Sequence, residues 1–557
     1  MSRECYLCYD IKGIQQFIFS VPKLKYVVGA SLLIDEFDRK AGGGEGVSGA
    51  EAIFTGGGKG TFSCNSEQIA ENLREKLVKR AHEKGLDLRI GINAELSEAT
   101  RHADDLYPFV PDSLDGEPCY VSRLWPVTEK NGVEIKGENN TSEWIHPLID
   151  NRAKAVRNRS ERKLDTDVLN AIRTRLPEDL LTLEAKYQTS LEFLTVVGAE
   201  AEMEPDEKEL AQAADAALGN RNRWAVLSLD GNDMGCQFRA FEETKPSDEK
   251  KKTWMTAMSG YLRQCTREAF YEGLTAAITA WWEKAKENQR LLKLYDQART
   301  VVLPFRLLIL GGDDILCLCH SSWAMTMAET IIETFHAKSK EVAQDAQKKG
   351  IEQLWPGTGG ELTISAGIAY TGVTLPLFLS IPYAESLLGS AKAKFRKDKK
   401  DGGPTPAAVD WESITESMLD TPSARRRRDL SFKDKDLDKE IVLTMRPYRV
   451  FPNENKPKET TLQNIEQLKA KLSKIPRSVL TELMTVLTLP WGERVGRLTA
   501  MAVQNPKIME WLDDGITDRD KLGSCWVEEE NNKRCNWFLD ALLLLEEEKR
   551  MEKETVR

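Results

Sequence analysis

The sequence predicts an α+β protein in which one order of strands and helices, β-α-β-β-α-β, occurs twice. In each copy a glycine-rich turn, TGGGKG or GGDD, joins two apolar runs, as in a β-hairpin. Repetition of the whole order within one chain indicates a duplicated domain. The predicted units are a first copy (1–125), a helical connector (126–218), a second copy (219–410) and a carboxyl-terminal helical domain (411–557).

The first copy contains each expected element in turn. Its second helix starts after Ser66, a residue type suited to capping, and places Ile69, Leu73, Leu77 and Ala81 on one face. The elements are a strand in CYLCYDIKGIQQFIF, a helix in LKYVVGASLLIDEFDRKAG, a hairpin in AIFTGGGKGTFSC, the capped helix SEQIAENLREKLVKRAHEKG and a strand in LDLRIGINAEL.

The second copy repeats this order after a charged, helical connector. Its elements are the strand RWAVLSLDGNDMG, a long helical region ending near WWEKA, the hairpin FRLLILGGDDILCLCH, the helix SSWAMTMAETIIETFHAKSKEVAQDAQKKG and the strand ELTISAGIAY. This is the split βαβ order of ferredoxin-like and polymerase-palm domains. Beyond it, a stripe at helical spacing predicts core packing in a helical domain: Leu462, Ile465, Leu468, Leu472 and Ile475.

Composition predicts a cytoplasmic protein with no membrane partner. Hydrophobic residues make up 41% and charged residues 30% of the chain. No apolar run reaches the roughly 18–20 residues of a membrane span, and the start lacks the pattern of a secretory signal. The ten cysteines are scattered, so we expect reduced thiols, including the CxxC pair Cys5 and Cys8.

The net charge of −10 argues against generalised attraction to nucleic acid. Three local basic clusters remain, at 152–163, 391–400 and 425–428. Each is as consistent with a solvated surface as with a phosphate contact.

Adjacent carboxylates at the turn of the second hairpin predict a metal site. Asp313 and Asp314 repel each other unless a cation lies between them. The repeat order brings Asp230, at the end of the preceding strand, beside this turn. Three carboxylates suit two hard cations, Mg²⁺ or Mn²⁺, that also bind substrate phosphates. Gly311 and Gly312 would let a nucleotide approach the backbone.

Two further segments carry a resemblance to known families. LTISAGIA and YAESLLGSAKAKFR resemble the region after the hairpin in nucleotidyl cyclases of the GGDEF class, with Lys392 at the lysine of that pattern. DIKGIQQFIF, LKYVVGASLL and FTGGGKGTF, with DGNDMG and GGDD, resemble the two palms of the polymerase-like large subunit of type III CRISPR effector complexes.

The resemblance implies an activity and a set of roles. Members with an intact second palm join ATP molecules 3′ to 5′ into cyclic oligoadenylates. Asp230, Asp313 and Asp314 would then be the catalytic metal ligands, and Lys392 would steady the triphosphate of ATP. The alternative for Lys392 is a solvated surface lysine. The implied partners are guide RNA, target RNA, and the backbone and small subunits of a CRISPR complex.

The first copy has TGGGKG where the second has carboxylates, although Asp10 remains on its first strand. It can cradle a nucleotide but lacks the acids to hold metals. Because the two palms of the family face each other, each receiving one ATP, an acceptor nucleotide would lie near Gly56, Gly57, Gly58 and Ser31. The alternative is that GGGKG is only a tight turn.

The sequence departs from the family pattern in three ways. None of the five histidines is followed by aspartate, so an HD nuclease domain is not expected. The four-cysteine zinc knuckle often found between the palms is absent from the sequence. The usual DxDN appears as DGND, with Asn232 and Asp233 exchanged, while Asp230 is kept.

Other functions compete with ATP oligomerisation. The chain could be a scaffold subunit that binds RNA and sister subunits, with inactive palms, or a stand-alone cyclic nucleotide synthase. A diguanylate-cyclase-like homodimer using GTP is disfavoured because one chain already supplies two palms. A template-directed polymerase would need a broad basic channel, which an acidic chain does not indicate.

Overall fold

A computed structural model of the chain describes most of both copies and parts of the other units. The described residues are 4–21, 24–101, 105–108, 117–118, 126–127, 133–136, 142–162, 164–187, 190–193, 223–286, 300–303, 305–372, 375, 377–399, 402–414, 420–453, 459–504, 526–529 and 533–549. The acidic end of the connector, 199–220, and most of HADD, 102–105, lie outside these residues. Among the described helices, none is both long and apolar enough to span a bilayer.

The first copy is a five-stranded sheet with strand order β2-β3-β1-β4-β5. Alternate residues of β1, such as Leu7 and Tyr9, join a core with α2 and α3, and the opposite face carries Asp10. Its elements are β1 (Cys5–Lys12), α1 (Ile14–Phe19), α2 (Leu24–Ala41), β2 (Ala50–Gly56), β3 (Lys59–Cys64), α3 (Glu67–Lys84), β4 (Asp87–Asn93), α4 (Leu96–Arg101) and β5 (Asp105–Tyr107).

Two predictions for local structure in the first copy have different outcomes. The cap is confirmed, because the Ser66 hydroxyl accepts from the Ile69 N–H at 3.4 Å. The strand predicted to continue through IQQFIF is wrong. Gly13 adopts a left-handed backbone, with φ of 62°, and ends the strand, so the following residues form α1.

The second copy is a six-stranded sheet with strand order β13-β14-β11-β15-β16-β19. The first four strands repeat the order β2-β3-β1-β4 of the first copy, so the predicted α+β fold with two palm-type units is confirmed. Its elements are β11 (Arg223–Gly231), α8 (Met234–Glu243), α9 (Asp248–Ala285), β12 (Thr300–Leu303), β13 (Phe305–Gly311), β14 (Asp314–His320), α10 (Ser321–Lys348), β15 (Ile364–Gly372), α11 (Leu377–Phe395) and β16 (Ala408–Ile414). Strand β12 pairs with β10 of the connector.

The two copies face each other through equivalent contacts. The hydroxyl of Ser31, on α2 of the first copy, donates to the carbonyl of Leu308 on β13 at 2.7 Å. The hydroxyl of Thr256, on α9 of the second copy, shares its proton between the carbonyl of Ile53 on β2, at 3.1 Å, and the carbonyl of Lys252 in its own helix, at 2.9 Å. Leu308 and Ile53 occupy the same position of their hairpins, because each lies at the register shift. The arrangement is therefore a pseudo-two-fold, in which each copy contacts the other with the same surface.

The connector combines helices with short strands, and the carboxyl-terminal region adds a small sheet, β17-β18-β21-β20, that the sequence does not indicate. The predicted stripe at Leu462, Ile465, Leu468, Leu472 and Ile475 is buried. The elements are β6 (Glu117–Pro118), β7 (Pro126–Val127), β8 (Val133–Lys136), β9 (Ser142–Ile145), α5 (Pro147–Arg162), α6 (Leu164–Arg173), α7 (Glu178–Tyr187), β10 (Ser190–Phe193), α12 (Pro422–Asp429), β17 (Ser431–Asp434), β18 (Lys439–Val442), β19 (Tyr448–Arg449), α13 (Leu462–Leu472), α14 (Arg477–Leu487), α15 (Trp491–Gln504), β20 (Trp526–Glu529), β21 (Lys533–Asn536) and α16 (Phe538–Lys549).

One predicted basic cluster, Arg425 to Arg428, is largely structural. Arg426 is buried and donates to both carboxylate oxygens of Asp410, at 3.0 and 2.6 Å. Arg428 is exposed and pairs with Asp420 and its neighbour Asp429. Arg426 therefore ties α12 to β16 and has little capacity left for a phosphate.

Candidate active site

The structure brings together the three acids that the sequence selects. Asp230 lies at the end of β11, Asp313 at the hairpin turn and Asp314 at the start of β14. One carboxylate oxygen from each residue lies within 4.8 Å of the other two. The convergence follows from the sheet order, because β11 pairs directly with β14, from Trp224 opposite His320 to Leu229 opposite Ile315.

The electrostatics of the three acids indicate uncompensated negative charge. Burial in the cluster, followed by the charge of Asp230, raises the pKa of Asp313 to about 7. The same causes, with the charge of Asp313 added, raise the pKa of Asp314 above its ordinary value, although that residue retains contact with solvent. A divalent cation would reverse both shifts, since it favours the ionised carboxylates.

Gly231 allows the acids to approach closely. A Cβ atom at this position would lie 2.7 Å from Oδ2 of Asp313 and 2.9 Å from its Cβ. Any other residue would therefore displace Asp313 from Asp230. The glycine of DGND is required by this side-chain contact.

Lys392 lies at the acids and pairs with one of them. Its ammonium forms an ion pair with the carboxylate of Asp230 and donates to the carbonyl of Gly231 at 2.9 Å. The lysine projects from α11, the helix that follows β15. Its solvated-surface alternative is wrong, because its side chain is only 17% exposed.

The turn of the second hairpin leaves space for a ligand. A Cβ on Gly311 or on Gly312 would meet no atom within 4 Å, and Gly312 has a positive φ of 57°. Thr266, a buried residue of α9, donates its hydroxyl to the carbonyl of Gly312 at 2.6 Å. The helix thus holds the turn from behind while its glycines stay accessible.

The exchanged residues of DGND have structural partners beside the three acids. The buried amide of Asn232 donates to the hydroxyls of Thr363 and Ser365 at 2.9 and 3.0 Å. The Asp233 carboxylate accepts from the N–H of Thr405 at 2.6 Å. Burial alone would raise the pKa of Asp233, but the hydrogen bonds from Thr405 and the charge of Lys399 lower it. Asp233 is thereby held outside the acidic cluster.

The glycine turn of the first copy is held by a buried carboxylate. Asp38 of α2 accepts from the N–H of Gly58 and from the hydroxyl of Tyr9, each at 2.8 Å. Burial raises the pKa of Asp38 to about 6. Gly56, Gly57 and Gly58 all have positive φ, from 64° to 156°, which other residues rarely adopt. GGGKG is therefore a turn with a defined backbone.

The remaining candidates of the first copy have partners of their own. The Ser31 hydroxyl is engaged with Leu308 in the contact between the copies. Asp10 pairs with Lys12 on the same strand. Arg263 of α9 crosses to the first copy and donates to the carbonyl of Thr55 at 3.0 Å, beside Gly56.

Sequence reasoning missed three residues that position the two turns: Asp38, Arg263 and Thr266. Arg263 and Thr266 lie in the middle of α9 and Asp38 lies in the last turn of α2, and polar residues at such positions normally face water. No local signal separates them from surface positions, because their partners are brought close only by the tertiary fold. The positions of these residues on their helices are compatible with this role but do not predict it.

These features define a protein with two facing palm-type domains, one of which carries a cluster of three acids. Residues 223–401 match the family model described as Cas10/Cmr2, second palm domain. This match confirms, over that segment, the resemblance predicted from the sequence.

The solved structures that the chain resembles include Csm1-Csm4 cassettes and a Csm1-Csm4 subcomplex in the type III-A CRISPR-Csm interference complex. The cassette in complex with cA4 is 14% identical, with a TM-score of 0.38, and the match covers 70% of this chain and 53% of that one. The cassette in complex with cA3 is 13% identical, with a TM-score of 0.45 and coverages of 98% and 70%. The chain thus spans about half the length of the first of these structures. Among curated proteins, none matches the chain.

Proposed function

We propose that the protein is a metal-dependent nucleotidyltransferase that converts ATP to cyclic oligoadenylates and releases pyrophosphate. One observation carries this proposal: three carboxylates converge within 4.8 Å at the hairpin turn of a Cas10/Cmr2 second palm domain. A purely structural role would not favour the burial of neighbouring carboxylates, which, with the charge of Asp230, raises the pKa of Asp313 to about 7.

The residues of the second copy fit a divalent cation. Asp230, Asp313 and Asp314 would hold Mg²⁺ or Mn²⁺, since both ions prefer oxygen ligands. When bound, the metal would neutralise the triphosphate and lower the pKa of an attacking hydroxyl. Lys392 forms an ion pair with Asp230 in the absence of metal. Once a metal binds the Asp230 carboxylate, the lysine would pair with a phosphate of the nucleotide.

The rest of the chain orients the reactants. Gly311 and Gly312 admit the donor nucleotide to the second turn, and Gly56 to Gly58 form the turn that would receive the acceptor. The 3′-hydroxyl of the acceptor attacks the α-phosphate of the donor, a new phosphodiester bond forms and pyrophosphate leaves. Catalysis by positioning requires a fixed distance between the two turns. The reciprocal hydrogen bonds of Ser31 and Thr256 supply such a constraint.

The biological setting in this proposal is antiviral defence of the CRISPR type, with activity regulated by RNA. Guide RNA, target RNA, and the backbone and small subunits of the complex are the proposed partners. The cytoplasm is the proposed location.

The test uses purified protein, Mn²⁺ or Mg²⁺ and labelled ATP, with and without guide and target RNA. Mass spectrometry of the products is expected to detect cyclic oligoadenylates and pyrophosphate. The double substitution Asp313→Asn/Asp314→Asn should abolish them, whereas Glu333→Gln, at an exposed position of α10, should not. A product-free reaction under all conditions would favour the scaffold function, and an active double variant would place the chemistry elsewhere.

A further inference from the structure

We infer that the first copy binds nucleotide phosphates without a divalent metal, using Lys59 in place of the metal-binding acid of the second copy. The identity of the ligand as a nucleoside triphosphate rests on the proposed function. The inference about metal independence rests on the register of the two sheets and on the charges that this register places side by side.

The register assigns Lys59 to the position of Asp314. In the first hairpin Gly56 pairs with Lys59, and in the second Gly311 pairs with Asp314. Both hairpins also shift register at the same place, between Ala52 and Phe54 and between Leu307 and Ile309. The two hairpins therefore correspond residue by residue along their strands.

The central strands extend the same correspondence. Tyr9 lies opposite Gly60 in the first copy, and Leu229 lies opposite Ile315 in the second. One residue further, Asp10 occupies the position of Asp230. The site that holds two carboxylates in the second copy thus holds one carboxylate and one ammonium in the first.

The charge around Asp10 is also different. Arg89 on β4 lies opposite Asp10, where the second copy has Ser365 opposite Asp230. Directly opposed residues of neighbouring strands share one face of a sheet. This face of the first copy also carries Lys12, opposite Asp87. Its three cations and two acids leave a net positive charge of one, whereas Asp230, Asp313, Asp314 and Lys392 sum to −2.

Lys59 is available to a ligand. Its side chain is exposed, and among the described residues none forms an ion pair or hydrogen bond with it. The nearest acid in the ladder, Asp10, is paired with Lys12. Arg263 adds a second cation at the turn from the facing copy, and its bond to the Thr55 carbonyl uses only one of its five N–H donors.

An ammonium and a guanidinium bind phosphate oxygens directly. A carboxylate does so only through a bound cation. The two turns should therefore differ in their need for metal: one site binds nucleotide in the absence of divalent ions, and the other does not.

The experiment measures binding of a non-hydrolysable ATP analogue to the full chain by equilibrium dialysis. With Mn²⁺ we expect about two molecules per chain, and in EDTA about one. In EDTA, Lys59→Met should weaken binding about tenfold, since one charge contact to the phosphates is lost. Lys59→Arg should restore it. Lys76→Met, at another exposed lysine of the first copy, should leave the EDTA-resistant binding unchanged.

Loss of all binding in EDTA would overturn the inference. Equal binding of the analogue in EDTA by the wild type and by Lys59→Met would also overturn it. The same holds if Lys76→Met weakens this binding as much as Lys59→Met does. The proposed function is tested separately by product formation. If no product forms but binding in EDTA depends on Lys59, the proposed reaction is rejected and this binding site is retained. If product forms but all binding requires metal, the proposed reaction is retained and this binding site is rejected.

Discussion

Replacement of Asp314 by asparagine is expected to stabilise the metal-free protein. Its carboxylate lies within 4.8 Å of those of Asp230 and Asp313. At this separation each repulsion is about 0.9 kcal/mol in a water-like dielectric and about 3.5 kcal/mol at an effective dielectric constant of about 20. Because Lys392 compensates part of the charge, we expect a gain of about 1–3 kcal/mol for the apo protein. The same substitution removes one ligand, so stabilisation by Mn²⁺ should largely disappear.

Thermal unfolding in EDTA and in Mn²⁺ measures both effects. For a unit of 150–250 residues, 1 kcal/mol corresponds to roughly 2–4 °C, so the midpoint in EDTA should rise by about 2–12 °C. Glu333→Gln is the matched control, since it removes an acid from an exposed position of α10. A lower midpoint for Asp314→Asn in EDTA, with an unchanged response to Mn²⁺, would refute the view that these acids repel each other and share a cation.

Three further predictions concern pH, the facing copies and the basic cluster. Since the folded pKa of Asp313 is raised to about 7, its contribution to metal-free stability should be fully present below about pH 4 and be lost as the pH rises to about 7; urea titrations of wild type and Asp313→Asn in EDTA measure this difference. Ser31→Ala should lower the free energy of unfolding by about 1 kcal/mol, and Thr256→Val should lower it by less, because the Thr256 hydroxyl divides its proton between the carbonyls of Ile53 and Lys252; a larger loss for Thr256→Val would contradict this expectation. Arg426→Met should cost about 3–5 kcal/mol in unfolding free energy because it leaves a buried carboxylate unpaired, and exposed Arg428→Met should cost under about 0.5 kcal/mol.

The duplicated fold was predictable because its signals are local. Strand and helix periods, a cap at Ser66 and two glycine turns follow one another in the same order in both copies. The boundary at Gly13 was missed because the apolar residues after it suit either a strand or a buried helix. The small carboxyl-terminal sheet was missed because its strands are short, and β21 pairs in parallel with the distant β18.

The candidate site was predictable only where the fold order fixes the neighbours. Asp230 meets Asp313 and Asp314 because β11 must pair with the hairpin in this topology. The ion pair of Lys392 with Asp230 depends on the path of α11 across the sheet, which no local pattern specifies. Arg263 reaches the other copy because the two domains face each other. The spacing of apolar residues predicts the helices and strands of each domain, but not which surfaces of the two domains are in contact.

The first copy differs from the second in backbone as well as in charge, which predicts that an acidic site cannot be restored there by two substitutions. Gly58 occupies the position of Asp313, but its φ is +77° and a Cβ would lie 2.2 Å from Cδ1 of Ile14. Asp313 has no such positive φ. The double variant Gly58→Asp/Lys59→Asp should therefore be destabilised and gain no Mn²⁺ site. Lys59→Asp alone should remain folded, as an exposed position allows. Manganese titration by electron paramagnetic resonance would contradict this reasoning if the double variant bound additional Mn²⁺ at wild-type stability.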